Sequence, residues 1–184
     1  ADTAQRLALG RCFVYQGQAI DLEPPWERIT VDEAFRRYTG VTAEDVLAAG
    51  RFEEILVEEV EPHLGFGRPT FLCDYPLPLA SLARRKNDHS RVAERFELYV
   101  CGMELANGFS ELTDPAEQRR RFQEAIAERN RLGKVPSHMP ESFLDDLSRM
   151  KEAAGIALGL DRLVMVLADA AVIDKVVALT TEMM

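Results

Sequence analysis

The stretch from Arg95 to Glu111 constrains the fold more than any other part of the chain. It reads Arg-Phe-Glu-Leu-Tyr-Val-Cys-Gly-Met-Glu-Leu-Ala-Asn-Gly-Phe-Ser-Glu, strand-like throughout and interrupted only near Cys101-Gly102. That pattern predicts an antiparallel hairpin turning at Val100 to Gly102. A lone hairpin is marginal in water, so the remaining residues must supply further strands or helices to cover it.

They do so in a recognisable order. The first thirty residues are poorly patterned, and Leu22 to Trp26 is a proline-stiffened extended stretch. Thr30 with Glu33 forms a capping box for a helix whose Val31, Ala34, Phe35 and Tyr38 recur at helical spacing until Gly40. Thr42 caps a short second helix. Phe52, Ile55, Leu56 and Val60 then make an apolar stripe, and Glu53, Glu54, Glu58, Glu59 and Glu61 are read as its solvated side. Pro69 to Tyr75 suits a strand, with Phe71, Cys73 and Tyr75 on one face, ended by Pro76-Leu77-Pro78. Asp114-Pro115-Ala116-Glu117 starts a helix that runs to about Leu132, with Arg119, Arg120 and Arg121 on its wet side. Pro140 to Met150 predicts another helix. Gly155 to Leu158 predicts a strand leading through Gly159 into a last one. With no repeat or long linker, this is one α+β domain.

Composition then excludes whole classes of protein. Of the 184 residues, 47% are hydrophobic and 29% charged, with 22 basic and 31 acidic side chains for a net charge of −9. That is a core-forming globular composition, not a disordered or disulfide-stapled one. A sequence pI near 4.9 argues against gripping nucleic acid by bulk charge. No run of about 18 apolar residues suggests a membrane span, and Ala1 to Gly10 lacks a signal-peptide profile, so a cytoplasmic location is expected. The three cysteines, Cys12, Cys73 and Cys101, are expected to be reduced core thiols.

The hairpin also carries the chemistry. A turn at residues 100 to 102 sets Glu97 almost opposite Glu104, and paired carboxylates repel unless positive charge sits between them. Mg2+ bridging to nucleotide phosphates suits such a pair, although two exposed, hydrated carboxylates fit the spacing as well. Asn107, Phe109 and Glu111 share strand parity and offer an amide, a ring and an acid, a set able to hold an amino acid that ends in an ammonium. An ordinary edge strand is the alternative. Strict alternation puts Glu104 on the other face, so bringing all four together requires a bulge near Ala106 to Gly108. In Gly155-Ile156-Ala157-Leu158-Gly159-Leu160-Asp161-Arg162, small residues at 155, 157 and 159 clear space for a flat ligand, and Arg162 is set to reach a triphosphate. Gly65-Phe66-Gly67-Arg68 lacks the lysine of a phosphate loop, His63, His89 and His138 have no metal-ligand spacing, and Ser81 and Ser110 lack a nucleophile context.

Glu94 to Tyr99, Glu104 to Asp114 and Gly155 to Leu163 together resemble the C-terminal part of the class II lysyl-tRNA synthetase catalytic domain, the last segment being similar to motif 3 of that class. The resemblance runs from about Ile29 to Leu179 and implies an antiparallel sheet flanked by helices, as a partial domain. It implies ATP and Mg2+ as cofactors. Glu97 and Glu104 match the metal and ATP carboxylates, Gly155 and Gly159 the ATP floor, and Arg162 the catalytic arginine of motif 3. Ala106, Asn107, Phe109 and Glu111 match the substrate-binding positions. Ala106 and Ala157 stand where these synthetases carry glycine, a change shared with the paralogues that attach β-lysine to elongation factor P; Ala106 is expected to narrow the pocket by a methyl group. The closer resemblance is to those paralogues, and it implies ATP-dependent activation of lysine or β-lysine and its transfer to a lysine of elongation factor P by a homodimer; a lysyl-tRNA synthetase acting on lysine tRNA is the first alternative, and a non-catalytic synthetase-like module that binds nucleotide the second. Leu-Ala-Arg-Arg at 82 to 85 is synthetase-like. Motifs 1 and 2 are not found within residues 1–184.

Overall fold

The hairpin forms and organises a five-stranded sheet. In the computed structural model, which describes residues 2–7, 10–80, 82–87 and 91–180, β5 (Val92–Val100) and β6 (Met103–Ser110) are joined by Cys101-Gly102 alone. Both turn residues have positive φ, 48° and 74°, as a two-residue turn that follows strand twist requires. A small separate hairpin precedes the sheet, β1 (Cys12–Tyr15) with β2 (Gln18–Asp21), and a short helix α1 (Asp2–Arg6) comes before that. This order was invisible in the poorly patterned first thirty residues.

The sheet itself runs β3 (Glu27–Thr30), β4 (Thr70–Pro76), β5, β6, β7 (Ala154–Leu158) in space. It is antiparallel except for β3, which lies parallel to β4. Between those two the chain makes the crossover that a parallel pair needs. The crossover holds α2 (Val31–Thr39), α3 (Ala43–Ala48) and α4 (Phe52–Ile55), the last running into a π-helical turn, Leu56–Val60, and a 3-10 turn, Glu61–His63. The Thr30–Glu33 capping box is complete, and Gly40 ends α2 at φ 76°. Thr42 caps α3.

These helices lay Val31, Phe35, Phe52, Ile55, Leu56 and Val60 on the sheet face that carries Leu72, Tyr75 and Tyr99, forming the main core. Tyr75 was expected to share a face with Phe71 and Cys73. A bulge between Cys73 and Tyr75, with Asp74 at φ 61°, switches it inward instead. On the opposite face, β1 and β2 pack Phe13, Tyr15 and Ile20 against Val100, Leu105 and Val166. Trp26, Phe71 and Phe96 extend that face as a ring cluster, Trp26 stacked on Phe71 and Phe96 edge-on to it, with centroids 5.7 and 5.5 Å apart.

The long helix α5 (Pro115–Arg131) starts on the Asp114 cap, and α6 (Glu141–Leu147) buries Leu144 and Leu147. Arg121 departs from its expected solvated role: its side chain is largely buried, pairing with Glu117 and donating to the Ala83 carbonyl. The final helix α7 (Leu160–Leu167) follows β7 through Gly159. All three cysteines are free, but Cys12 is exposed and Cys73 and Cys101 half-buried, so none is a core thiol. Among the described residues no helix is long and apolar enough to cross a membrane.

Candidate active site

The predicted pairing of Glu97 with Glu104 is two residues out of register, because the turn centres one residue later than predicted. Val100 pairs with Met103 and Tyr99 with Glu104, so the turn centres between residues 101 and 102. A bulge then shifts the ladder, and Glu97 pairs with Asn107. The extra residue is Leu105, since Leu98 faces Ala106 while Tyr99 faces Glu104. Leu105 turns into the core beside Val100 and Val166, which explains why the irregularity sits there. The predicted bulge thus exists, upstream of the segment where it was expected. Gly108 serves packing instead, since a methyl group there would lie 2.6 Å from the Phe96 ring on the opposite face.

The consequence of the bulge is chemical. Glu104, Asn107, Phe109 and Glu111 come to one face, the one Tyr99 and Glu97 also share. On β7, Ala157 pairs with Asn107 and Gly155 with Phe109, which brings the small residues onto that face. The Glu111 carboxylate lies over Gly155, where a methyl group would sit 3.0 Å from its Oε1. Gly159 donates its N–H to the Leu105 carbonyl at 2.8 Å and so ties the start of α7 to the bulge. Ala106 borders the same cleft as Glu104, Asn107 and Arg162. It is buried opposite Leu98 and Leu158, and alternation from Asn107 aims its methyl group at the other sheet face. Of the two alanines, Ala157 is the one that shares the face of Asn107.

Arg162, on the first turn of α7, donates to the Glu104 carbonyl at 2.8 Å and to its Oε2 at 3.3 Å. Arg162 and Glu104 are partly exposed at the mouth of an open cleft of about 360 Å³, which Asn107, Ala157, Gly159 and Asp161 also line. A larger cleft, about 620 Å³, opens between α2, α3 and the end of β4. Its charges are spent on one another, Arg36 on Asp32, Arg91 on Glu44 and Lys86 on Asp74, so it lacks convergent groups for a ligand.

Glu97 is held differently from Glu104. It is 7% exposed and accepts four hydrogen bonds: Arg95 Nη2 (2.8 Å) and Asn107 Nδ2 (3.0 Å) on Oε1, Tyr75 OH (2.5 Å) and Tyr99 OH (2.7 Å) on Oε2. Arg95 also lies over the Tyr75 ring, 4.4 Å from its centroid. Burial, and then the neighbouring carboxylate charge, push the Tyr75 hydroxyl well above its ordinary range, and burial does the same to Tyr99. These tyrosines therefore stay donors. The four bonds orient Asn107, whose Oδ1 is buried and has no partner among the described residues. Asn107 lines the cleft, and a buried amide oxygen without a donor is a group that a ligand N–H can satisfy.

A third carboxylate belongs to the site. Glu61 accepts from the Tyr99 hydroxyl at 3.0 Å, and burial together with the charges of Glu97 and Glu104 raises its pKa, partly offset by the Tyr99 hydrogen bond and by Arg162. Sequence periodicity gave it to the solvated helix side; the signal available was Pro62, which cannot continue a regular α-helix and sits instead in the 3-10 turn that Glu61 opens. Tyr75, Tyr99 and Arg95 were also missed as site residues, although Arg95, Glu97 and Tyr99 alternate visibly along β5. Among the described residues no three acidic, histidine or cysteine side chains cluster as a ready metal cage. The donor set instead fits a cation that takes one or two carboxylates and fills its remaining positions with phosphate oxygens and water. Glu104 has carboxylate surface to offer, and Glu97 could join it if a tyrosine hydroxyl releases Oε2. His63 stacks on Tyr38 away from these groups and His138 is exposed, while Ser81 and His89 lie outside the described residues.

Comparison with known proteins agrees with this arrangement. Residues 5–182 match the family described as tRNA synthetases class II (D, K and N). The chain belongs to that family. It is 42% identical to a lysine–tRNA ligase of Moorella thermoacetica, over 96% of this chain and 40% of that protein. It is 38% identical to the lysine–tRNA ligase of a Thermoanaerobacter species over 98% of this chain and 40% of that protein, and 36% identical to that of Campylobacter jejuni subsp. doylei over 88% and 36%. The chain thus spans about 40% of the length of the first of these class II relatives. The lysine–tRNA ligase likeness outweighs the expected likeness to elongation-factor-P ligases.

Proposed function

We propose that this chain is the C-terminal part of the catalytic domain of a class II lysine–tRNA ligase, which activates lysine with ATP and transfers it to tRNA. The observation carrying the proposal is the Leu105 bulge, which gathers Glu104, Asn107, Phe109 and Glu111 on the face of Glu97 and beside Arg162. Each group has a part in that reaction. Glu111 pairs with the ammonium at the end of the lysine side chain, and the Phe109 ring covers its methylene stem. Asn107 Oδ1, oriented by Glu97, accepts from the amino acid. Gly155, Ala157 and Gly159 leave room for the nucleotide. The lysine carboxylate attacks the α-phosphorus, and pyrophosphate leaves. Arg162 supplies fixed positive charge where the phosphate oxygens gain negative charge. Glu104 and Glu97 would hold Mg2+, which when bound offsets the charge of the phosphates.

The exposed edge and face of β7 support the partial-domain reading. Ile156 and Leu158 are 64% and 46% exposed, and Leu160, at the start of α7, is 68% exposed, an arrangement that suits further strands of the same sheet. We place the full-length protein in the cytoplasm as a homodimer. The 184-residue chain alone is expected to have little ligase activity, because the resemblance puts the arginine of motif 2 outside it; measurable adenylate formation would contradict this.

Pyrophosphate exchange by the full-length protein is the primary test. Exchange with lysine, followed by charging of lysine tRNA, is expected. No exchange with lysine or β-lysine sinks the proposal. Exchange with β-lysine and transfer to elongation factor P, without tRNA charging, would return the assignment to the paralogue that Ala157 favours.

A further inference from the structure

We propose that Glu61 is a positioning residue for Glu97: it is the alternative acceptor to which Tyr99 turns its hydroxyl when Glu97 engages a metal–nucleotide ligand. The proposal rests on the functional reading above and goes beyond it in the residue and the step it assigns.

The argument starts from saturation. Glu97 accepts four hydrogen bonds from the protein, two on each oxygen, so its lone-pair directions are filled. It can hold a ligand only if a donor leaves. Of the two donors on Oε2, Tyr75 has the Tyr99 hydroxyl as its second neighbour and no second carboxylate among the described residues. Tyr99 has a second carboxylate: its oxygen stands 2.7 Å from Glu97 Oε2 and 3.0 Å from Glu61 Oε1, with a single proton for both. Turning one O–H bond moves the donation from Glu97 to Glu61, and no heavy atom has to travel. The proton stays on Tyr99 throughout, and no covalent bond is made or broken.

The fold holds Glu61 in place for this exchange. Leu56–Val60 is a π-helical turn, closed by the Glu61 N–H on the Leu56 carbonyl. Such a wide turn carries Glu61 round from the acidic outer side of α4 toward the sheet, and turns of this kind recur at functional sites. The β5–β6 hairpin clamps the following residues, with Cys101 N donating to the Gly65 carbonyl and Gly102 N to that of Leu64. Gly65 has φ 77° and approaches Tyr99 so closely that a methyl group would lie 2.5 Å from its carbonyl oxygen. Both ends of the Glu61–Tyr99 contact are therefore fixed by backbone. Half-buried beside Glu97 and Glu104, with Arg162 as the facing cation, Glu61 would relax if it were merely a surface acid.

The test uses the full-length protein and Mg2+·ATP as the probe, with affinity measured by titration calorimetry and nucleotide-free stability by thermal melting. Glu61→Leu removes the alternative acceptor and leaves Tyr99 bound to Glu97. It is expected to weaken Mg2+·ATP about tenfold, the scale of one hydrogen bond, without lowering the nucleotide-free melting temperature. Glu61→Gln keeps an acceptor oxygen and should recover most of that affinity. With Tyr99→Phe as background, Glu61→Leu should have no further effect. The proposal is overturned if Glu61→Leu binds as tightly as the parent, or if affinity and melting temperature fall together and Gln rescues neither. A parent that does not bind Mg2+·ATP overturns this proposal and the functional reading together; a parent that binds and exchanges pyrophosphate while Glu61→Leu is silent overturns this one alone.

Discussion

Replacing Glu97 with glutamine separates a carboxylate that builds the site from one that only lines it. The amide oxygen can still accept from Arg95 and Asn107, but the charge that paired with Arg95 is gone. Arg95 keeps its bond to the Leu79 carbonyl at 2.9 Å and its place over the Tyr75 ring, so its loss is partial. Losing a charge-assisted hydrogen bond costs about 2 kcal/mol. On the other side, an N–H₂ group replaces Oε2 and meets two hydroxyls. Tyr99 can turn to Glu61, whereas Tyr75, 2% exposed, exchanges a carboxylate for the neutral Tyr99 hydroxyl beside it. Losing the charged acceptor of a buried hydroxyl adds about 1–3 kcal/mol. The sum, about 3–5 kcal/mol, matches the typical cost of breaking a buried ion pair. Urea unfolding of the 184-residue chain, followed by circular dichroism, should show that loss as a lower midpoint at unchanged slope. Glu104→Gln, at a partly exposed pair, should cost less than about 1 kcal/mol in the same assay. A loss below about 1 kcal/mol for Glu97→Gln would refute the claim that its four donors depend on the charge.

Three further outcomes follow from the same geometry. Gly155→Ala puts a methyl group 3.0 Å from Glu111 Oε1, so it should shift that carboxylate and weaken lysine binding at least about tenfold while leaving the melting temperature within a few degrees; calorimetry with lysine checks it. Tyr15, Tyr75 and Tyr99, three of the four tyrosines, have hydroxyl pKa values raised first of all by burial. The folded state keeps their protons where the unfolded chain releases them, so stability is present below the ordinary tyrosine range near pH 10 and is lost as pH rises above it; tyrosinate absorbance should therefore rise together with unfolding, and a complete titration of a still-folded chain would be the contrary result. Finally, the exposed β7 should make the isolated chain self-associate, and Ile156→Lys should reduce this in sedimentation experiments.

Local chemistry was legible without coordinates. The Thr30–Glu33 capping box, the Gly40 stop and the Asp114 cap depend on residues a few positions apart, and each formed where its residues predicted, while the hairpin turn formed one residue later than its predicted centre. The same holds for the small residues at 155, 157 and 159, which face one way because a strand alternates. What periodicity could not supply was its own interruptions. A turn centred one residue late and the extra residue at Leu105 together moved Glu97 from Glu104 to Asn107, the bulge at Asp74 turned Tyr75 inward, and the π-helical turn before Glu61 brought an apparently solvated acid to the site. Each interruption inserts one residue into a regular ladder or turn, at a cost in local hydrogen bonding that is recovered only when distant side chains pack: Leu105 on Val100 and Val166, Tyr75 and Tyr99 around Glu97. Period is a property of neighbours along the chain, so it names the residues available to a site; which face each one meets is settled by contacts between segments far apart in sequence.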